Sequence, residues 1–169
     1  GDGGTGTSSV QATVANVAPT ANAGTPRSGN EGSSVAFAGS ATDPGALDVL
    51  TYSWTFGDGG TGSGRSPSHV YVQNGTYTAT LTVNDGDGGV GTSTVQVTVA
   101  NVAPTANAGT ALSSNEGSSI VFSGSATDPG TSDVLTYSWT FGDGAPGSGS
   151  TPSHVYAQDG VYTATLTVD

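Results

Sequence analysis

The side chains able to do chemistry are mostly carboxylates, and they sit among glycines. Asp43 and Asp48 fall in TDPGALDV, Asp85 and Asp87 in NDGDGG, and Asn16 opens the short segment NVAP. Asn101, Asp128 and Asp133 recur at the same places 85 residues later. Asp169 stands at the start of a second acidic loop, and Asp2 stands where Asp87 would. Oxygen donors on Gly-rich loops suit Ca2+, which takes roughly 6–8 of them. The competing reading is that they only form turns, since turns favour Asp and Gly in any case. The spacing is not that of an EF-hand loop. His69 and His154, the 2 histidines, both lie in SHVY. No Ser-His-Asp arrangement can be argued around them, and residues present in every copy of a repeat read as scaffold. They are expected to pack beside a strand turn and bond to backbone. GDGG at 57–60 lacks the strand–loop–helix context of a phosphate loop. Asp58 and Asp143, in the two FGDG turns, are read as bonding their own backbone. No catalytic residue is expected, and the chain is not read as an enzyme.

Composition narrows the classes further. The chain has 169 residues, 2 Lys+Arg against 13 Asp+Glu, and a net charge of -11. Such a surface repels a phosphate backbone and an anionic membrane face. No apolar run approaches the roughly 20 residues of a spanning helix. With 0 Cys, disulfides, thiolate zinc sites and thiol nucleophiles are excluded. Both basic residues are Arg, Arg27 and Arg65, so trypsin-like proteases find little to cut. That composition, rich in Gly, Ser and Thr, suits the outside of a cell.

The elements that must position these residues are repeated. Residues 16–84 align with 101–169 without a gap and differ at 16 of 69 positions. Residues 1–15 align with 86–100 and differ at 3. The expected organisation is therefore out of frame. Residues 1–15 are the final strand of a preceding or neighbouring unit, 16–100 are one complete unit, and 101–169 are a unit lacking its last strand.

Within a unit the apolar residues alternate with period 2. Leu50, Tyr52, Trp54 and Phe56 share one face of LTYSWTF, and Tyr77, Ala79, Leu81 and Val83 share one face of YTATLTV. Val35, Phe37 and Ala41 make a third inward set, and Val95, Val97 and Val99 a fourth. Thr dominates the outward faces, as a β-branched residue does on a pleated surface. About seven short strands per unit, with turns every 8–12 residues, predict an all-β, immunoglobulin-like sandwich. Trp54 and Trp139 are expected in its core. Tyr77, at the entry to the penultimate strand, is placed to form a tyrosine corner.

YSWTFGDG (52–59), SPSHVY (66–71) and GTYTATLTVNDGDGG (75–89) resemble the polycystic kidney disease (PKD) domain, and all three motifs recur in the second unit. The resemblance implies tandem seven-stranded β-sandwiches of the kind found in surface layers, adhesins and secreted hydrolases. It does not by itself imply an activity.

In such a sandwich the B–C and F–G loops lie at the N-terminal end. Asn16, Asp43, Asp48, Asp85 and Asp87 then converge on one pole, where uncompensated carboxylates would repel each other. The opposite pole carries Glu31, Asp58 and Asn74, and in a linear array it faces the acidic pole of the next unit. Asn74-Gly75-Thr76 is an N-glycosylation sequon. The expected function is structural: an extracellular or cell-surface filament, stalk or array. Its partners are other copies or repeats of the same protein, head to tail, extended by sharing a terminal strand and rigidified by Ca2+. Val10, Ala12 and Val14, which match Val95, Val97 and Val99, are the expected strand-donation contacts. The alternative is a spacer or carbohydrate-binding module of a secreted polysaccharide hydrolase or adhesin, with surface polysaccharide as its partner. Neither reading involves nucleic acid or membrane insertion.

Overall fold

The computed structural model describes residues 1–169 and contains strands and turns but no helix. The first repeat forms β1 (Thr20–Asn22), β2 (Arg27–Asn30), β3 (Ser34–Ala36), β4 (Ser40–Thr42), β5 (Thr51–Thr55), β6 (Thr61–Ser63), β7 (Ser68–Val70), β8 (Gly75–Asn84) and β9 (Val90–Ala100). The second forms β10 (Thr105–Asn107), β11 (Ser119–Val121), β12 (Ser125–Thr127), β13 (Tyr137–Thr140), β14 (Pro146–Ser148), β15 (Ser153–Val155) and β16 (Thr165–Val168). The first and second strands of the sandwich are each interrupted, which is why nine short strands stand where about seven were expected. The fold is the immunoglobulin-like all-β architecture read from the alternation.

In the first repeat β2-β9-β8-β5-β6 make a five-stranded sheet, with β1-β4 and β3-β7 as two-stranded ladders. The second repeat has β14-β13-β16, β10-β12 and β11-β15. Residues 112–115, the counterpart of β2, carry no strand. In the first repeat β2 runs parallel to β9, Arg27–Asn30 beside Val97–Ala100. The counterpart of β8 is shortened as well. β8 has 10 residues, whereas β16 has 4, starting only at Thr165.

Close contacts divide the chain into two discontinuous units. One comprises 1–25, 36–67 and 78–95; the other comprises 26–35, 68–77 and 96–169. The first unit holds a core in which Phe37 packs 5.2 Å from Trp54 and 5.0 Å from Phe56, ring centre to ring centre. Trp54 is buried and its indole N–H donates to Gly64 O at 3.1 Å. Gly57, at φ 87°, has no room for a side chain, because a Cβ there would lie 2.7 Å from Thr78 O. The second unit repeats the aromatic cluster with Phe122, Trp139 and Phe141. Both tryptophans are in the core, as expected. The tyrosine corner is present too: Tyr77 Oη donates to Gln73 O at 2.8 Å, and Tyr162 Oη to Gln158 O at 3.2 Å.

Candidate functional site

The acidic pole of the first repeat is organised by Asp85, which is 2% exposed. Its Oδ1 accepts the amides of Asp87 (2.9 Å) and Gly89 (2.8 Å), and its Oδ2 accepts Asn16 Nδ2 at 2.8 Å. The Asn16 bond, ahead of the backbone donors, holds its carboxyl below the usual range against the opposing effect of burial. Asp43, Asp48 and Asp85 each bring one carboxylate oxygen within 4.8 Å of the others. Asp43 Oδ1 accepts the Gly45 amide at 2.7 Å, but its Oδ2 is buried with no donor. A buried acceptor without a partner calls for an explanation, and an ion is one. Desolvation, followed by the charges of Asp43, Asp87 and Asp85, raises the Asp48 carboxyl. Four of the five residues expected at this pole are thus joined by hydrogen bonds or close approach. Asp87 contributes its backbone, through its amide and through a carbonyl 3.5 Å from Asn16 Nδ2, while its carboxylate stays outside the three-oxygen group.

The second unit contains a second carboxylate group: Glu31, Asp128 and Asp133, again within 4.8 Å. Glu31 is 1% exposed. Its Oε2 accepts the Asn74 amide and its Oε1 the Val102 amide, both at 2.8 Å. One carboxylate thus ties a turn of the first repeat to the linker leading into the second. Gly32 beside it has φ 71°, and a Cβ there would sit 2.7 Å from Pro129 Cβ. Desolvation, then Glu31 and Asp128, raise the Asp133 carboxyl. The sequence placed Glu31 opposite the acidic pole of the next repeat but held no sign of its bond to Val102, since a backbone amide leaves no trace in residue type. Asn101 is exposed in that linker. Asp169 pairs through its backbone with Thr136 and lies outside the carboxylate group.

The third feature is apolar. In the first repeat Val95, Val97 and Val99 are 4%, 0% and 3% exposed, filling the sheet between β2 and β8. In the second repeat the same place is an open groove of about 920 Å³, lined by Leu112, Ile120, Phe122, Trp139, Tyr162 and Ala164 among others. Ala79, Leu81 and Tyr71 are fully buried, but Ala164, Leu166 and Tyr156 are only half-buried. Residues 1–15 carry no strand here, and Val10 and Val14 are 94% and 92% exposed. Ala12 and Asp2 are also exposed. Asn74 is exposed in its turn, and its backbone amide donates to Glu31.

The histidines correct one expectation. His154 bonds a carboxylate rather than backbone: its Nε2 lies 2.7 Å from Asp143 Oδ2, with its ring stacked 4.3 Å from Phe141. Asp143 also accepts the Ala145 amide, and that bond, then His154, holds its carboxyl low. The FGDG turns otherwise bond their own backbone as expected, Gly60 N–H donating to Asp58 Oδ1 at 2.9 Å.

Tandem sandwiches carrying these motifs define a class, and the family model for the PKD domain matches residues 16–99 and 101–169. The chain belongs to the PKD domain family. A 35-residue stretch is 49% identical to collagenase ColA of Bacillus cereus; it covers 21% of this chain and 4% of that protein. Among solved structures, the PKD1 domain of Vibrio anguillarum Epp is 35% identical, covering 50% of this chain and 96% of its own, with a TM-score of 0.43. The PKD1 domain of the Vibrio cholerae metalloprotease PrtV is 26% identical over 49% of this chain and 98% of its own, with a TM-score of 0.37.

Proposed function

We propose that the chain is a stretch of a non-catalytic, extracellular repeat array, a filament or stalk in which each sandwich is completed by the strand that leads into the next. The observation that carries this reading is the open groove of the second repeat, set beside a segment, 1–15, whose sequence matches the strand filling that groove in the first. Strand addition satisfies main-chain donors and acceptors along its length and seats alternate side chains in pockets. An unpaired edge above an apolar groove is otherwise an aggregation hazard. Another copy, or the next repeat of an array, supplies the strand equally well. A head-to-tail contact of this kind does not close on itself and grows a filament.

Calcium belongs to the same reading. Asp43, Asp48 and Asp85 would hold it at the pole of the first repeat, and Asp128 and Asp133 with Glu31 at the linker. A bound divalent ion offsets the mutual repulsion of these carboxylates and stiffens the loops that carry them. The buried, donor-free Oδ2 of Asp43 supports this assignment.

The match to a collagenase segment favours a second reading, in which the modules space the catalytic part of a secreted hydrolase. A carbohydrate-binding role would call for exposed aromatics, and here every Trp, Tyr and Phe is buried or half-buried. Sedimentation of the intact chain against concentration separates the readings. Association that vanishes when residues 1–15 are deleted supports strand sharing between copies. A monomer at all concentrations overturns donation between copies and leaves the continuous array or the spacer.

A further inference from the structure

Of the asparagines in this chain, Asn74 alone precedes a glycine. The pairing matters chemically, because a glycine amide nitrogen has no side chain to shield it from the carbonyl carbon of the preceding asparagine side chain. The fold enforces the pairing. Gly75 has φ 149°, a conformation that residues with a Cβ rarely adopt, so a bulkier residue after Asn74 would be strained. Asn74 is exposed, so water reaches it. The second repeat has Asp159 at the same place, followed by Gly160 at φ 156°. The two turns are built alike. Asn74 N–H donates to Glu31 Oε2 at 2.8 Å, and Asp159 N–H to Glu116 Oε2 at 3.1 Å. Tyr77 Oη donates to Gln73 O, and Tyr162 Oη to Gln158 O. The turn thus accepts an acid at this position when the main chain has its ordinary length.

We propose that Asn74 is a site of spontaneous deamidation, and that its isoaspartyl product opens this turn and frees the linker held by Glu31. Gly75 N attacks Asn74 Cγ. A bond from that nitrogen to Cγ forms, the Cγ–Nδ2 bond breaks, and ammonia leaves with the proton lost from the Gly75 amide. Water then opens the resulting succinimide at either carbonyl. Breaking the new bond to Cγ gives aspartate. Breaking the original peptide bond gives isoaspartate, in which the main chain runs through Cβ and Cγ and the former main-chain carbonyl becomes a carboxylate branch. The isoaspartyl chain is one methylene longer. The extra carbon falls between Gln73 O and Tyr77 Oη, which are 2.8 Å apart, and beside the 2.8 Å bond from Asn74 N–H to Glu31. The new carboxylate stands next to Glu31, itself 1% exposed, where like charges are poorly screened. Glu31 Oε1 also accepts the Val102 amide at 2.8 Å, so loosening Glu31 releases the linker. The proposal depends on neither strand sharing nor calcium.

The test ages the folded full chain at mildly alkaline pH, because attack needs the deprotonated Gly75 nitrogen. Electron-transfer fragmentation in the mass spectrometer then locates each acid formed and separates isoaspartate from aspartate. Asn74 is expected to convert well ahead of every other asparagine, with isoaspartate exceeding aspartate. Asn74→Gln, whose longer side chain closes a ring less readily, should gain no acid at that position. In the aged chain the Val102 amide should exchange with solvent faster, and the folded-to-unfolded ratio read by urea should fall about tenfold. Fresh Asn74→Asp should keep both close to their starting values, as Asp159 does in its turn. Conversion of Asn74 no faster than that of the other asparagines would overturn the site. Conversion with Val102 protection and unfolding unchanged would overturn the release. A loss in fresh Asn74→Asp as large as in the aged chain would assign the effect to charge and overturn the role of the isoaspartyl bond.

Discussion

Substituting Val14 by Ala measures how much a donated strand gains from its side chains. Val99, its counterpart, is 3% exposed in the first repeat. Removing two methyl groups from a site of that burial forfeits roughly 1.6 kcal/mol of transfer free energy, plus a cavity term of similar order. The structure therefore supplies an internal control. Val99→Ala removes the same atoms from the strand already in place and should lower the unfolding free energy of the first repeat by about 2–3 kcal/mol. Val14→Ala should leave unfolding unchanged, because Val14 is 92% exposed, and should instead weaken association by a comparable amount. That corresponds to about 30- to 150-fold in the dissociation constant. Denaturant unfolding reads the first and sedimentation equilibrium the second. If Val14→Ala leaves association unchanged while Val99→Ala destabilises the fold, residues 1–15 do not enter the groove and the reasoning from repeat equivalence fails.

Chelation should lower the melting temperature, because an ion that binds only the folded chain stabilises it by mass action. Asp43→Ala should remove the chelator's effect, and an unchanged melting curve with and without calcium would leave the acidic loops as turns alone. Gly32→Ala should destabilise by about 1–2 kcal/mol through its left-handed backbone and the contact with Pro129, with urea unfolding as the check. The carboxyls of Asp85 and Asp143 are held below their ordinary value in the folded chain. Their contribution to stability is therefore present above the unfolded carboxyl pKa of about 3.9 and is lost as pH falls through the lower native values. Acid titration followed by circular dichroism should show Asp85→Asn flattening that loss.

The alternation of Tyr52, Trp54 and Phe56, and of Ala79, Leu81 and Val83, made the sandwich legible, because period-2 burial leaves a direct mark on residue type. The tyrosine corner was legible for a different reason: Tyr77 follows a turn marked by Gly75. Convergence of Asn16, Asp43, Asp48 and Asp85 could be read from topology, since it needs only the loop ends. The role of Glu31 was half legible. Its pole could be placed, but its two partners are backbone amides, and main-chain groups are common to every sequence. His154 went to Asp143 because the β13–β14 turn brings that carboxylate beside the ring, 11 residues away in sequence, a distance no local pattern reports. The interruptions of the first two strands were not legible either, because Gly and Pro at 24–26 and the Gly at 39 look like ordinary turn residues.

The central claim is that the groove of the second repeat takes a strand of the 1–15 type. Amide hydrogen exchange on the dilute chain, with and without a saturating peptide of residues 1–15, tests it most directly. Gly160–Ala164, which carry no strand here, and Leu112–Asn115, the counterpart of β2, should exchange rapidly alone and become strongly protected once the peptide is added. Unchanged exchange at both segments under saturating peptide would contradict the account.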